Sequence, residues 1–530
     1  MSADGRAASV ARLPSATTIF KWEEPPAMTS QPPIHTRQVR FPLMWLAPLR
    51  QPSFAPQRQR IIERIGLGVI FLLALGVRIF YNLTVARNYV PIHDAADYNA
   101  MALHLLNEHC LCIAPHVPTT VRPPLFPLFL AGVYGLTGAD PLHARLALSV
   151  VGAGTCVLAA LIAREMAGWR AGLLAGLIAA TYPQLFIWDA WLYSESLAVF
   201  LFAACCLVSM RLMRPLIAPQ ASDVTPSSDG SGAPTNGIRR MMGSLRREGW
   251  RWLAAGALFG LTALVRPNGV YALLAVLGAL VLLAVARRSV WRRLRTQPLT
   301  SAQGFWRSQT FRRMAWRGGL LALGCALMLA PWVARNAAVT GGAFVPFTTV
   351  DGIVIAGSYN DISYRDPYYA GEWVNPKLVP AYAPTVASFP SVCDARCEVS
   401  RDHALGQLGE HWALSHVGEL PLLVYRRMKA LWRFASPVDE EGMPIWRPFA
   451  ELYPMLVIVL AFVGVGMAAL RRWRRALVPA LFIGVVTLGA AAFYGTPRMR
   501  APMEPMLVAF AAVALVWLFD LAYDALKKTL

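Results

Sequence analysis

The sequence predicts an all-α polytopic membrane protein with about ten transmembrane helices, an interfacial helix in the first outer loop and a larger loop region on the outer face. Hydrophobic residues make up 56% of the 530 residues and charged residues only 15%, with a mean hydropathy of +0.43. Soluble proteins carry about 25% charged residues, so such a composition cannot cover a water-exposed surface. The apolar residues also form blocks of about 20, the length that spans a bilayer, and Arg clusters between the blocks.

Ten apolar blocks are the predicted spans. Several are hydrophobic on every face, as helices that contact both lipid and other helices must be. Ala and Gly are frequent in them, which allows helices to approach closely. The predicted spans are residues 65–81, 146–163, 171–188, 197–213, 253–265, 270–286, 320–333, 452–470, 476–494 and 503–523.

Residues 1–62 have a different composition, rich in Pro, Arg, Ser and Gln and without an apolar period. A segment of this kind cannot bury enough apolar surface to fold, so it is predicted to be a disordered cytoplasmic tail. The first long apolar run begins near residue 65, too far along the chain for a simple cleavable signal peptide. We expect that run to remain as the first span.

Basic residues set the predicted orientation. The chain has 50 Lys and Arg against 30 Asp and Glu, a net charge of +20. These residues are concentrated in five segments, which the positive-inside rule puts in the cytoplasm: the tail, the flanks of the linker at 215–250, residues 287–317, the turn at 471–475, and Lys527 with Lys528. The excess charge therefore indicates orientation against an anionic leaflet, and no nucleic-acid partner is expected.

Whether the apolar block at 124–138 crosses the membrane determines which segments lie on the outer face. All basic segments fall on one side only if the ten spans cross and this short, proline-flanked block does not. We therefore predict an interfacial helix there, both termini in the cytoplasm, and a multi-pass protein of the plasma (inner) membrane. The predicted regions are the tail 1–62, an N-terminal transmembrane module 63–334 with the first outer loop 84–145, a large outer loop 335–450, and C-terminal transmembrane helices 451–530.

The first outer loop carries the most specific motif, Asp94-Ala95-Ala96-Asp97-Tyr98, followed later by Arg122-Pro123-Pro124. Asp94 and Tyr98 are four residues apart and share one face of a helix. Asp94 could serve as an N-cap, with Asp97 completing a pair like a capping box. An Asp at a helix start can also perform chemistry, and the two interpretations are compatible.

These motifs resemble the C superfamily of membrane glycosyltransferases, and within it the family 39-like enzymes, which include protein O-mannosyltransferases and lipid A aminoarabinose transferases. Their motif is often Asp-Glu-x-x-Tyr, whereas this chain lacks the acid after Asp94. Further short matches follow in the same order along the chain. They are Tyr193-Ser194-Glu195-Ser196-Leu197, Val265-Arg266-Pro267, Pro331-Trp332-Val333-Ala334-Arg335-Asn336, Gly342 with Val345-Pro346, the amphipathic segment from Arg426 to Phe434, and Pro497-Arg498-Met499-Arg500-Ala501-Pro502.

The resemblance implies transfer of a sugar from a polyprenyl-phosphate lipid to an acceptor hydroxyl or lipid on the periplasmic or extracellular face, with inversion at the anomeric carbon. The donor would enter from the bilayer, and the sequence has no Gly-rich phosphate loop placed after a strand. By its match to the family motif, Asp94 would be the catalytic base, with Asp97 as the fallback.

Positive charge near the leaving phosphate is the second requirement of such a transfer. Arg122 matches the basic position that the aminoarabinose transferases use near phosphate. The other candidates for substrate binding are Arg266, Arg335, Arg498 and Arg500, with Tyr98 and Glu195. Each arginine could instead anchor the protein to lipid headgroups, Tyr98 could simply pack, and Glu195 could contact the sugar or pair with an arginine.

Histidine and cysteine in the outer loops suggest two further features. His93, His104, His109 and His116 crowd the first loop with Cys110 and Cys112, but their spacings match no familiar zinc site, so no metal or other cofactor is expected. Cys393 and Cys397 lie in the large outer loop, where a disulfide can form. They could pair with each other or with a cysteine of the first loop.

Two other classes of protein fit part of the pattern. A transporter or lipid flippase would show paired half-chain repeats and acidic or broken helices at mid-membrane, which the sequence does not display. A polyprenyl-linked glycan ligase or polymerase would share the lipid donor but carry different motifs. The identity of the acceptor, whether protein, lipid or glycan, does not follow from the sequence.

Overall fold

The computed structural model describes residues 56–217, 234–286, 309–434, 447–471 and 473–529. Within these ranges the chain is helical and contains no strand beyond a single bridge between Cys112 and Pro118. The prediction of an all-α protein is confirmed. Most of the predicted tail, residues 1–55, lies outside the described residues, as does most of the basic segment that follows residue 286.

Nine helices lie in the described residues up to Ala286. They are α1 (Pro56–Thr84), α2 (Asp94–Glu108), α3 (Leu125–Thr137), α4 (Pro141–Ala167), α5 (Trp169–Thr181), α6 (Pro183–Phe186), α7 (Glu195–Ile217), α8 (Pro234–Val265) and α9 (Val270–Ala286). Short 3₁₀ turns follow α6 at Ile187–Ala190 and α8 at Pro267–Gly269. The first helix thus begins before the predicted tail ends.

The second half contributes ten more helices among the described residues. They are α10 (Gln309–Thr340), α11 (Asp351–Ser358), α12 (Asp361–Arg365), α13 (Ala383–Ala387), α14 (Ala395–Ser415), α15 (Leu420–Leu431), α16 (Arg447–Leu470), α17 (Leu477–Ala492), α18 (Pro497–Arg500) and α19 (Glu504–Thr529). Further 3₁₀ turns lie at Pro376–Leu378, Val417–Glu419, Arg474–Ala476 and Ala501–Met503.

Eight helical segments of the described chain are long and apolar enough to cross a membrane, and a ninth span results if a bent pair is counted as one. The predicted polytopic helical membrane protein is therefore confirmed. The predicted span 171–188 is the bent pair, which turns by 65° between Thr181 and Pro183. Proline lacks the amide that would continue the helix, so the chain breaks there. The remaining predicted span, 253–265, forms the end of α8, which is not among the eight.

Helix α3 corresponds to the block that was predicted not to cross. Its 13 residues extend about 20 Å at 1.5 Å per residue, which is shorter than the roughly 30 Å of a bilayer core. Gly138 ends the helix with a φ of 92°, a backbone conformation that other residues rarely adopt. The length of α3 therefore agrees with a helix that does not span the membrane.

Small residues bring the long helices into close contact. A Cβ added at Gly256 of α8 would overlap the carbonyl of Leu321 in α10, and one added at Gly324 would overlap the carbonyl of Leu253. Gly152 of α4 likewise lies against the buried ion pair between Arg78 Nε and Asp189 Oδ2, which are 2.5 Å apart. Helix association in membranes depends on such close packing because lipid supplies no hydrophobic drive. The closely packed long helices position the loops that lie at one end of α1, α4, α7 and α17.

Candidate active site

The first outer loop places two carboxylates at the start of α2. Asp94 is the first residue of this helix and Asp97 lies one turn further on. The helix cap is His93, which has a φ of 50° and makes no side-chain capping hydrogen bond. The interpretation of Asp94 as an N-cap is therefore wrong, because its carboxylate is directed to arginines. A positive φ is uncommon for a non-glycine residue and marks a constrained turn before the motif.

Arg122 joins the two carboxylates at the start of α2. Its Nη2 lies 2.5 Å from Asp94 Oδ1 and 2.8 Å from Asp97 Oδ2, and its Nε donates to Asp97 Oδ2 at 3.2 Å. The Arg122 side chain is 21% exposed and that of Asp94 26%. The structure thus brings together the acidic motif and the basic Pro-Pro segment that the sequence separates by 25 residues or more.

Arg498 occupies the other side of Asp94. Its Nη2 donates to Asp94 Oδ2 at 2.7 Å, and its Nε donates to Glu195 Oε1. Arg266 Nη1 forms a second ion pair with the same Glu195 oxygen. Glu195 is only 2% exposed, and its Oε2 has no hydrogen-bond partner among the described residues.

These contacts form an alternating chain of six charged side chains, from Asp97 through Arg122, Asp94, Arg498 and Glu195 to Arg266. Three carboxylates and three guanidinium groups make the set neutral. We call it the six-charge cluster. Its members come from α2, the segment before α3, the start of α7, the turn after α8 and α18, so five separate parts of the chain converge on one place.

Two tyrosines, Tyr98 and Tyr193, line the cluster. Tyr98 is buried, its hydroxyl donates to Ser194 Oγ at 3.3 Å, and its ring lies 5.5 Å from Arg122 Cζ. The Tyr193 ring lies 4.6 Å from Arg498 Cζ. Aromatic faces at this distance stabilise guanidinium groups. Tyr98 therefore packs beneath Arg122, and Tyr193 packs beneath Arg498. Tyr193 was not among the residues predicted from the sequence, although it lies only two residues before Glu195.

The arginines control the ionisation of Asp94. Burial favours the neutral acid, but Arg122 and Arg498 outweigh it and hold the pKa of Asp94 well below its usual range. Burial likewise opposes the charge on Arg122, whereas Asp94 raises the pKa of that guanidinium further above its usual value. Asp94 is consequently ionised and weakly basic as long as both arginines face it.

Two of the predicted phosphate ligands lie outside the six-charge cluster. Arg335 donates from Nη1 to the carbonyl of Thr119 at 2.7 Å and from Nη2 to that of Leu111 at 3.4 Å.

Arg500 is fully buried, pairs with Glu504 at 2.6 Å and donates to the carbonyls of Leu431 and Arg433. The guanidinium groups of Arg335 and Arg500 that make these contacts therefore stabilise the fold.

Two histidines of the first loop and four cysteines of the outer loops have structural partners. A His104 ring nitrogen lies 2.9 Å from the Cys112 carbonyl oxygen, and His116 lies 3.3 Å from Glu108. The described residues contain no group of three or more potential metal ligands. The structure pairs Cys393 with Cys397, one of the expected possibilities, and Cys110 with Cys112, which the sequence reasoning did not consider.

Comparison with known proteins gives matches among solved structures. No protein family and no curated protein sequence matches the chain. The chain is similar to the oligosaccharyltransferase AglB from Archaeoglobus fulgidus in complex with an inhibitory peptide and a dolichol-phosphate, with 14% identity over 89% of this chain and a TM-score of 0.48. It spans about half of that protein, 52%.

A second similar structure is ArnT from Cupriavidus metallidurans bound to undecaprenyl phosphate, with 15% identity, 87% of this chain and 77% of that chain covered, and a TM-score of 0.36.

Proposed function

We propose that this protein is a glycosyltransferase that moves a sugar from a polyprenyl-phosphate donor to an acceptor hydroxyl. The observation that carries the proposal is the six-charge cluster, because it combines a carboxylate suited to accept a proton with guanidinium groups suited to hold phosphate. The cluster lies at the ends of long apolar helices, where a lipid-linked donor can reach it from the bilayer.

In the proposed reaction the acceptor oxygen attacks the anomeric carbon as the bond from that carbon to the phosphate oxygen breaks. The acceptor proton passes to Asp94, and the polyprenyl phosphate leaves with the electron pair of the broken bond. Attack from the face opposite the leaving group inverts the anomeric carbon. Asp97 is the second carboxylate within reach of Arg122 and would be the fallback base.

The balance of charge before and after transfer supports the assignment of Asp94 as the base. The six-charge cluster is neutral before reaction, and the phosphodiester donor carries one negative charge. Transfer adds one negative charge to the leaving phosphate while Asp94 takes up one proton. The cluster then carries one net positive charge at the moment the phosphate needs it, and arginines already in place provide this without reorganisation.

Donor binding would also activate the base. The phosphate competes with Asp94 for Arg122 and Arg498, the two groups that lower its pKa. Once these guanidiniums turn toward phosphate, the pKa of Asp94 rises toward its ordinary value and the carboxylate becomes a stronger base. Arg266 and Glu195 would remain as the fixed end of the cluster. No metal or other cofactor is assigned a role, since the three guanidiniums supply the positive charge.

We further propose that this end of the helices faces the periplasm or cell exterior and that both termini are cytoplasmic, as the distribution of basic residues indicates. The regions 63–334, 335–450 and 451–530 would then be the catalytic transmembrane module, an acceptor-facing outer loop and the closing helices. The acceptor would be a protein, lipid or glycan that meets the large outer loop.

The experiment is a transfer assay with the purified protein in detergent. Radiolabelled polyprenyl-phosphate sugars are supplied, and transfer or hydrolysis with release of polyprenyl phosphate is expected. Nucleotide sugars form the control donor and should give no product. Asp94→Asn should lower turnover by about 10²–10⁴ while the protein still elutes as a folded species. Turnover only with nucleotide sugars, or none with any polyprenyl-phosphate sugar, contradicts the proposal.

A further inference from the structure

We infer that Glu398 is a positioning residue that fixes Arg122 in the six-charge cluster from the large outer loop. This inference rests on the proposed function, in which Arg122 receives the donor phosphate. Glu398 touches none of the six charges itself. It acts through the two threonines that precede Arg122 in the chain.

Glu398 is a buried carboxylate, 3% exposed, on the first turn of α14. One of its oxygens accepts from the Thr119 hydroxyl. The other accepts from the Thr120 amide at 2.8 Å, the Thr120 hydroxyl at 2.9 Å and the Thr349 hydroxyl at 3.2 Å. A buried carboxylate is costly without such partners, and here four donors from two loops replace water.

Every polar group of Thr119 and Thr120 is engaged. The Thr119 amide donates to the Leu111 carbonyl, and the Thr119 carbonyl accepts from Arg335. The Thr120 carbonyl accepts from the Thr349 amide at 3.1 Å. Glu398 takes the remaining amide and both hydroxyls. Three residues of the region 335–450 thus hold two consecutive residues of the first loop in one place.

One residue separates this fixed pair from Arg122, and Pro123 and Pro124 follow Arg122 directly. Pro123 restricts the backbone of Arg122 to extended conformations, and Pro123 and Pro124 have fixed φ angles. The backbone of Arg122 is therefore held on both sides, by hydrogen bonds before it and by proline rings after it. Such support matters because a displacement of about 1 Å in a positioned group can cost about 100-fold in rate.

Glu398 is itself held firmly. Asp394 caps α14 by accepting from the Cys397 amide at 2.9 Å, and Cys397 is paired with Cys393. The large outer loop therefore presents a rigid carboxylate to the loop that carries Arg122. Removal of this carboxylate leaves the Thr120 amide buried and without a partner, so the segment must shift.

The test is a double-mutant cycle on undecaprenyl phosphate binding and on donor kcat/KM. Glu398→Ala should weaken binding and lower kcat/KM by about 10- to 100-fold. In an Arg122→Gln background the same change should add little, because residues that act through one group are not additive. Glu398→Gln should restore most of the activity, since its carbonyl can accept from Thr120 and its amide can donate to the Thr119 hydroxyl.

Asn360→Ala is the matched control. Asn360 is fully buried, and its side-chain amide makes three hydrogen bonds, to Ser363, Ala356 and Gly357, all inside the large outer loop. It should lower the melting temperature as Glu398→Ala does but leave donor binding near wild type. If Glu398→Ala does not fold, Thr120→Val, which keeps the side-chain volume and loses the hydroxyl, takes its place in the cycle.

The outcomes separate this inference from the proposed function. Additive losses in the cycle, or an equal loss of binding in Asn360→Ala, would overturn the positioning role of Glu398. The proposed function would still stand in that case, provided that the wild-type protein binds undecaprenyl phosphate. Absence of undecaprenyl phosphate binding in the wild type would overturn the proposed function itself. Non-additive losses with rescue by glutamine support the inference.

Discussion

Replacement of Arg122 by glutamine removes a cation that contacts both Asp94 and Asp97 at the start of α2. The variant keeps an amide that can still donate to one of them, so the local fold has a substitute partner. It loses the guanidinium fork that contacts Asp94 at 2.5 Å and Asp97 at 2.8 Å. It also loses the positive charge that is proposed to receive the leaving phosphate.

The expected magnitude follows from the geometry. A donor that stabilises developing negative charge in a dry site contributes about 2.7–4 kcal/mol, or about 10²–10³ in kcat. Arg122 is 21% exposed, and Arg498 remains on the other side of Asp94, so the lower end of this range is expected. We predict a loss of about 100-fold in donor kcat/KM.

The assay is steady-state transfer with titrated donor, together with binding of undecaprenyl phosphate. Arg122→Lys keeps the charge but not the planar fork, so it should fall between wild type and Arg122→Gln. Arg365→Gln is the control, because Arg365 is an exposed arginine whose described ion-pair partner is Asp361, away from the six-charge cluster. Arg122→Gln with unchanged donor affinity and unchanged kcat/KM would refute the phosphate role.

Three further predictions concern pH, metal and packing. Because the pKa of Asp94 is lowered in the free enzyme, its ion pairs persist above the ordinary carboxyl pKa of about 3.9 and are lost only as the pH falls through the lower folded value. Since donor binding is proposed to raise that pKa, the acidic limb of kcat should lie at higher pH than that of kcat/KM, and coincident limbs would argue against base activation. Transfer should continue after dialysis against EDTA, and a loss restored by Mg²⁺ or Mn²⁺ would show that a metal takes part. Gly152→Ala should lower the melting temperature because the new methyl group overlaps Asp189 beside Arg78, and unchanged thermal unfolding would show that the helices can move apart there.

The long helices were predictable because hydrophobicity over about 20 residues is a property of each segment alone. The predicted span 171–188 shows where this reasoning stops: average hydropathy does not register that Pro183 breaks the helix and turns the chain by 65°. The same averaging selected residues 253–265 as a span of their own, whereas the structure includes them in the 32-residue helix α8.

All six residues of the six-charge cluster were candidates from local motifs and resemblance, but only some of their contacts could be expected. Asp94, Asp97 and Arg122 occur close together in the sequence, and the structure joins them directly. Arg498 lies 404 residues from Asp94, so only the fold could show their contact.

The sequence could not separate the arginines by role. Arg335 and Arg500 occur in motifs as suggestive as that of Arg498, yet their donors bind backbone carbonyls or a buried glutamate. Glu398 had no sequence signal, because its partners are threonines of a distant loop.

If Asp94 accepts the proton while the arginines hold the phosphate, binding and turnover should separate in Asp94→Asn, and a comparison of the two is the most direct measurement. This variant removes a competitor for Arg122 and Arg498, so it should bind undecaprenyl phosphate at least as tightly as the wild type. Its kcat should fall by about 10²–10⁴, the contribution of a positioned base, with a smaller loss in Asp97→Asn. Wild-type turnover in Asp94→Asn, or binding lost in parallel with activity, would contradict the account.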